Sequence, residues 1–175
     1  MTRLLVLLLA CSLAACAGAS RGAGGGGPVY PGLSCVPFAR ALTGLALSGD
    51  AADWWEAADG RYVRSSRPAV GSVLVLARSS RLPHGHVAVV SRVIDRRRIS
   101  VIQANWVPGE LDLDQLVVDV SVANDWRAVR VWYPPVEKLG VHVYAADGFI
   151  LPRAPLAHDL LAARAEPAAR AAVGD

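Results

Sequence analysis

The spacing of apolar residues changes after Pro68, from a pattern typical of helices to one typical of strands. This change constrains the fold more than any other feature. Before it, Ser34 is a good N-cap for a helix that starts at residue 35, and Asp50 caps a second, short helix over residues 51–58. After it, short apolar runs rich in β-branched residues predict strands over 72–76, 86–94, 98–104, 116–122 and 128–133. Helices followed by strands predict an α+β domain whose N-terminal helices pack on an antiparallel β-sheet.

Length and composition fit one globular domain. The chain has 175 residues, of which 53% are hydrophobic and 19% are charged. This supplies one sizeable core and excludes a chain that is disordered as a whole. The net charge of +3 is only a small surplus, so we expect no nucleic-acid partner. The folded domain is predicted over residues 30–136, and we expect it to be a monomer.

The first residues have the pattern of an export signal. Arg3 precedes an apolar run over residues 4–10, which is too short to span a bilayer because a span needs about 20 residues. The run leads to Leu13-Ala14-Ala15-Cys16, which resembles the lipobox of bacterial lipoproteins. That resemblance implies cleavage before Cys16 and acylation of its thiol. The alternative is ordinary cleavage after Ala19, which also follows small residues.

We therefore expect a lipid-anchored protein of the periplasmic cell envelope, held at the membrane by acyl chains on Cys16. Residues 1–15 are the predicted signal peptide, and residues 16–29 a flexible Gly-rich tether. Ala17 follows the acylated position where enteric lipoproteins retained at the inner membrane have Asp, which favours the outer membrane. Residues 137–175 are predicted to be an Ala-rich, partly disordered extension, with a small hairpin over 141–151.

Cysteine usage isolates one thiol. The chain encodes three cysteines, of which Cys11 leaves with the signal peptide and Cys16 is capped by lipid. Cys35 then has no intramolecular partner, so in an oxidising compartment it is either buried packing or a reactive group. Its place at a predicted helix start favours the thiolate, because free backbone N–H groups and the positive end of the helix dipole lie there. Cys35 is therefore a candidate nucleophile.

A nucleophilic thiol needs a base, and the base needs an orienting partner. His86 opens a predicted strand and is the candidate base, with His84 as a competitor two residues earlier. Gln103 and Asn105 are two residues apart on the next predicted strand, which runs back beside His86 in a hairpin, and they share one face. An amide oxygen there can accept the imidazole N–H and fix the tautomer. Taken singly, each of these residues is equally typical of a structural role.

Four segments in this order resemble the CHAP domains, which are cysteine- and histidine-dependent amidohydrolases/peptidases. They are residues 34–40, 70–75, 85–90 and 103–106, within a resemblance that runs from about residue 33 to 133. The resemblance implies a papain-like α+β fold, with Cys35 as nucleophile and His86 as general base and acid. Asn105 is the first candidate for the orienting residue and Gln103 the second. Gln103 stands where many members have Glu.

The resemblance implies a peptidoglycan hydrolase that cleaves an amide bond, either an N-acetylmuramoyl-L-alanine amidase or a peptide endopeptidase. Thiol chemistry needs no cofactor, and the two histidines of 84–86 lack a third and fourth zinc ligand, so we expect no metal. The residue order also fits NlpC-type endopeptidases. Two further alternatives are a non-catalytic CHAP-like lipoprotein that binds wall peptides or a partner protein, and a structural envelope lipoprotein with an inert Cys35.

Overall fold

The computed structural model describes residues 26–174. The predicted signal peptide, the lipobox with Cys16 and most of the predicted tether lie outside these residues. Within the described part, no helix is long and apolar enough to cross a membrane.

Three α-helices and eight β-strands make up the described chain, so the predicted α+β class is confirmed. The helices are α1 (Cys35–Thr43), α2 (Trp54–Ala57) and α3 (His158–Ala172). The strands are β1 (Val63–Ser65), β2 (Val73–Leu76), β3 (His86–Val93), β4 (Arg98–Ala104), β5 (Leu111–Asp119), β6 (Ala128–Tyr133), β7 (Lys138–Leu139) and β8 (Tyr144–Leu151). Short 3₁₀ turns cover Ala51–Asp53 and Pro134–Val136.

The strands form one antiparallel sheet that closes on itself. Its order is β1-β8-β2-β3-β4-β5-β6-β7, and β8 also pairs with β6. The strands from β8 through β2 to β6 therefore make a barrel, with β1 and β7 attached to its sides. Closure removes the open edges that these six strands would otherwise present.

Two apolar layers result from this closure. One fills the barrel and includes Leu74, Val101 and Phe149, and the other lies between the barrel and the helices. In the second layer, α1 buries Phe38 and Leu42, which lie one helical turn apart, against the outer face of the sheet. Both faces of the central strands are therefore covered, which explains their continuous apolar runs.

The C-terminal segment differs most from the expectation. It was predicted to be partly disordered, but β8 lies inside the sheet and α3 packs on α1. Leu161, Ala165 and Ala169 are fully buried, because small side chains let α3 approach closely. The predicted hairpin over 141–151 is also wrong: residues 144–151 form one strand, with an irregular register opposite Val75 and Leu76.

Strand β5 begins earlier than predicted, at residue 111 instead of 116. The end of the predicted tether lies along its start. The Leu111 N–H donates to Pro28 O at 3.0 Å, and the Tyr30 N–H donates to Gly109 O at 2.8 Å. Residues 28–30 are therefore part of the folded domain.

Candidate active site

Helix α1 presents the Cys35 thiol from its first residue, where the backbone N–H groups have no partner within the helix. The side chain is half-buried, and its thiol lies close enough to His86 for the imidazole to act on it electrostatically. Burial acts to raise the pKa of the thiol. It is outweighed by the charge and hydrogen bond of His86 and by the backbone N–H groups of Val87 and Cys35, so the pKa is lowered. A lowered pKa means more thiolate, which is the nucleophilic form.

His86 is the first residue of β3 and is only 3% exposed. The chain reaches it through Gly85, whose φ of +70° belongs to the left-handed region. A Cβ at Gly85 would lie 2.6 Å from Leu76 O and 2.7 Å from Ala52 N, so no larger residue fits. Glycine at position 85 is thus needed for the close approach of three chain segments beside His86.

The imidazole of His86 is held on several sides. Its Nε2 lies 3.1 Å from Gln103 Oε1, which accepts the ring N–H when the proton is on Nε2. This tautomer leaves Nδ1 for the thiol of Cys35. The Trp106 ring lies against the imidazole with 5.0 Å between ring centroids, and Trp106 Nε1–H donates to Trp132 O at 3.1 Å. The base is therefore fixed in tautomer and orientation.

Asn105 does not contact the imidazole by a hydrogen bond in the described structure. Strand β4 ends at Ala104, and Asn105 turns the chain with a φ of +62°. Its Oδ1 accepts the Gly109 N–H at 2.9 Å, and its own N–H donates to Glu110 O. The sequence ranked Asn105 before Gln103 as orienting residue, but the contact belongs to Gln103. Strand alternation does not continue through the turn, so the two amides diverge.

His84, the competing histidine, is bonded elsewhere. Its Nδ1 lies 3.0 Å from Asp50 Oδ2, which also accepts from Arg78 at 2.7 Å. The hydrogen bond with His84 is the largest cause of the lowered pKa of the Asp50 carboxyl. Burial acts in the opposite direction and is outweighed once the charges of His84 and Arg78 are added. His84 therefore belongs to an exposed ionic cluster at the rim, and of the two histidines it is His86 that lowers the pKa of the Cys35 thiol.

Comparison with known families identifies the region of the chain that carries these residues. The family model of the CHAP domain matches residues 24–105, a stretch that contains Cys35, His86 and Gln103. The chain contains a CHAP domain. A search of the curated proteins found no match. CHAP domains are generally amidases or peptidases, so the domain indicates a peptidoglycan-related role of that kind.

The cleft of the CHAP domain extends to both sides of His86. A cavity of about 550 Å³ holds Cys35, Asp50 and His84, and a second cavity of about 510 Å³ lies on the other side. Both are lined by Arg81, Leu82, His86 and Asn105. The second cavity is lined by aromatic and cationic side chains, among them Trp106, Tyr133, Tyr144, Lys138 and His142. Because the two cavities share these four residues, a ligand longer than either cavity can reach from the thiol of Cys35 into the second cavity.

Sequence reasoning missed one residue of this region, Asp112. It is fully buried at the start of β5, directly opposite Gln103 of β4 in the sheet register. Burial, reinforced by the charge of Glu110, raises the pKa of the Asp112 carboxyl to about 6, against the opposite effect of His86. The predicted start of β5 at residue 116 left Asp112 in a loop, so no pattern pointed to it. An earlier strand start would have aligned Asp112 with Gln103.

Proposed function

We propose that this protein hydrolyses an amide bond of peptidoglycan by a thiol mechanism with Cys35 as nucleophile and His86 as base and acid. The observation that carries the proposal is that Cys35 and His86 line the same open cavity, where His86 lowers the pKa of the thiol. Gln103 is the orienting residue in this proposal, because its Oε1 lies 3.1 Å from His86 Nε2. We also infer the papain-like arrangement, since α1 packs on the strands that carry these two residues.

In the first half-reaction the Cys35 thiolate attacks the carbonyl carbon of the scissile amide, and the carbonyl oxygen takes the negative charge. The backbone N–H of Cys35, at the start of α1, is placed to stabilise such an oxyanion. The carbon–nitrogen bond then breaks, and the leaving nitrogen takes the proton of the His86 imidazolium. The products are a thioester on Cys35, a free amine and a neutral imidazole.

In the second half-reaction water attacks the thioester. Neutral His86 accepts one proton of that water, and the hydroxyl becomes part of the released carboxylic acid. The carbon–sulfur bond breaks and restores the thiolate beside the imidazolium. Gln103 keeps the ring in one tautomer through both steps, and Trp106 covers the ring face.

The cleft favours a peptide-bearing substrate. Two cavities on either side of His86 give room for groups on both sides of the scissile bond. Arg81 and Lys138 line the second cavity, and these cationic side chains complement the carboxylates of wall peptides. These features fit the bond between muramic acid and the first alanine as well as a bond within the peptide.

We further propose that the protein works as a periplasmic lipoprotein, anchored by Cys16 and facing the wall from the outer membrane. The support is the tetrapeptide at residues 13–16 followed by Ala17. Mass spectrometry of the mature N-terminus tests the anchor. An acylated residue 16 supports it, whereas an unmodified N-terminus at Ser20 contradicts it.

The activity is tested by incubating purified sacculi with the full-length protein and analysing the released products by mass. Wild type should release fragments with a new amine and a new carboxyl group, and the fragment masses identify the bond. Cys35→Ala and Cys35→Ser should release none, because neither side chain supplies a thiolate. Circular dichroism of both variants serves as the control for folding.

Two outcomes would contradict the proposal. Cleavage by Cys35→Ala would exclude the thiol mechanism. No fragment from wild type, in an assay where a known wall hydrolase releases them, would favour the non-catalytic alternative. In that case cosedimentation of wild type and Cys35→Ala with sacculi would still measure binding to the wall.

A further inference from the structure

Asp112 is an unusual group to find inside a barrel. Its relative exposure is 0%, and neither carboxylate oxygen has a hydrogen-bond partner among the described residues. A buried carboxylate without partners costs considerable free energy, so such groups are rare away from functional sites. The chain thus places a buried negative charge at the start of β5, close to the cleft.

The nearest polar group across the sheet is the amide of Gln103. The two residues are direct partners in the β4–β5 register, so their side chains share one face with Cβ atoms roughly 5 Å apart. Gln103 is only 1% exposed, and its Nε2 is also without a partner among residues 26–174. One amide donor and one carboxylate acceptor therefore lie at neighbouring positions of one sheet face, both buried and not hydrogen-bonded to each other.

The other end of the same amide is engaged with the base, because Gln103 Oε1 contacts His86 Nε2. A neutral amide can orient the imidazole, but it brings no net charge to balance the imidazolium. The carboxylate behind it can supply that charge, since electrostatic interactions are strong where water is excluded. His86 in turn acts on the Asp112 carboxyl, so the two groups are within electrostatic range.

We propose that Asp112 is a positioning residue for the Cys35–His86 pair, acting through the Gln103 amide and stabilising the imidazolium with its negative charge. The inference rests on the proposed function for its catalytic meaning, but its electrostatic effect on Cys35 can be measured without any substrate. From the barrel interior to the cleft, the groups are the carboxylate of Asp112, the amide of Gln103, the imidazole of His86 and the thiol of Cys35.

Few other titratable groups face this carboxylate. Glu110 precedes it by two residues and adds a second negative charge. The segment 26–28 that covers the start of β5 carries only glycine and proline, and Gln103 on β4 is neutral. From α3, His158 faces Asp114 further along the strand, with 3.6 Å between Nε2 and Oδ2. His86 is therefore the one cation that acts on Asp112 in the described structure.

The test is the rate at which iodoacetamide alkylates Cys35 in the full-length protein. Mass spectrometry of the peptide that contains Cys35 measures this rate. In Asp112→Asn the thiolate–imidazolium form should be less populated, so alkylation at pH 7 should fall about three- to tenfold. At pH 10 the thiol is ionised whatever the state of the imidazole, so the two rates should agree. Asp119→Asn, at the other end of β5, is the matched control and should leave both rates unchanged.

A second pair of variants separates an electrostatic role from a structural one. Gln103→Glu places a carboxylate directly on His86, so Asp112→Asn in that background should cause no loss at pH 7. A residue needed only for packing would lower the rate equally in both backgrounds, and that result would overturn the proposal. Asp112→Ser replaces the Asn variant if the latter does not fold.

The two proposals can fail separately. If Asp112→Asn alkylates like wild type at pH 7, Asp112 has no positioning role, even if sacculi are cleaved. If the alkylation effect is found but wild type cleaves no sacculi, the electrostatic coupling stands and the proposed hydrolysis fails. Where sacculi are cleaved, Asp112→Asn should lower kcat about tenfold and leave KM within about twofold.

Discussion

The two ends of β5 each carry a buried aspartate, and the two carboxylates differ in the partners around them. At the far end, Asp119 Oδ1 accepts the Ser121 N–H at 2.8 Å, and Oδ2, which has no hydrogen bond among the described residues, forms an ion pair with Arg97 at 3.6 Å. At the cleft end, Asp112 has neither a backbone donor nor a neighbouring arginine among the described residues. A partnered carboxylate stabilises a turn, whereas an unpartnered one destabilises the fold and acts on what lies beside it.

The same contrast holds for the loops at these two ends. The turn between β3 and β4 is closed by local ion pairs such as Arg98 with Asp95 at 2.7 Å. At the cleft end, by contrast, His86 and Gln103 project from strand ends into a region shared by two cavities. We therefore expect substitutions at the far end to change stability alone, and substitutions of His86 and Gln103 at the cleft end to change activity.

The largest effect on activity after loss of Cys35 should come from His86→Ala. Removal of the general base and acid should lower kcat/KM on sacculi by about 10²- to 10⁴-fold. His84→Ala should lower it less than about threefold, because His84 is bonded to Asp50 at the rim. Initial rates of fragment release from sacculi measure both variants.

His84→Ala is the matched control, since the same residue type is removed two positions away. Equal losses in the two variants would mean that both histidines serve the reaction. A larger loss in His84→Ala would move the base to the rim and contradict the geometry of the cleft.

A smaller contrast is expected between the two amides. Gln103→Ala removes the contact to His86 Nε2 and should lower kcat by about 100-fold, with little change in unfolding midpoint. Asn105→Ala places alanine at a φ of +62° and removes the acceptor of the Gly109 N–H. It should lower the free energy of unfolding by about 1–2 kcal/mol and kcat by less than about fivefold.

Urea denaturation and sacculus cleavage, measured on the same preparations, separate these two effects. A kcat loss in Asn105→Ala larger than that in Gln103→Ala would restore the ranking that the sequence suggested. It would also remove the link through which Asp112 is proposed to act.

Short-range signals explain what the sequence could predict. Ser34 and the apolar spacing of α1 placed Cys35 at a helix start, and the β4 and β6 bounds of 98–104 and 128–133 match the structure. Gly85 and the strand start at His86 are also signals that can be read from the local sequence. These features need no knowledge of which strands become neighbours.

Long-range register explains what it could not. Asp112 matters only because β5 pairs with β4 so that residue 112 meets residue 103. Strand β8 closes the barrel by pairing with both β2 and β6, and nothing in its own composition indicates those partners. The ranking of Asn105 before Gln103 relied on strand alternation, which one left-handed residue ends at Asn105 itself.

The smallest expected effect is on the free energy of unfolding, and it distinguishes Asp112 from Asp119. The Asp112 carboxyl has a pKa of about 6 in the folded protein and about 4 when unfolded. Between these values the folded state binds more protons, so this group's contribution to stability falls as pH rises and is fully lost above pH 6. Asp112→Asn should therefore match wild type near pH 4 and exceed it by about 1–3 kcal/mol at pH 7.5.

Asp119→Asn should show the opposite sign at pH 7.5, losing about 1 kcal/mol because its charge interacts favourably with Arg97. Urea denaturation at pH 4.5 and 7.5 measures both variants against wild type. A loss of stability in Asp112→Asn at pH 7.5 would mean that the ionised carboxylate is stabilised by a partner in solution. The carboxylates at the two ends of β5 would then both have partners and would differ only in which partner they have. The negative charge near His86 would already be neutralised.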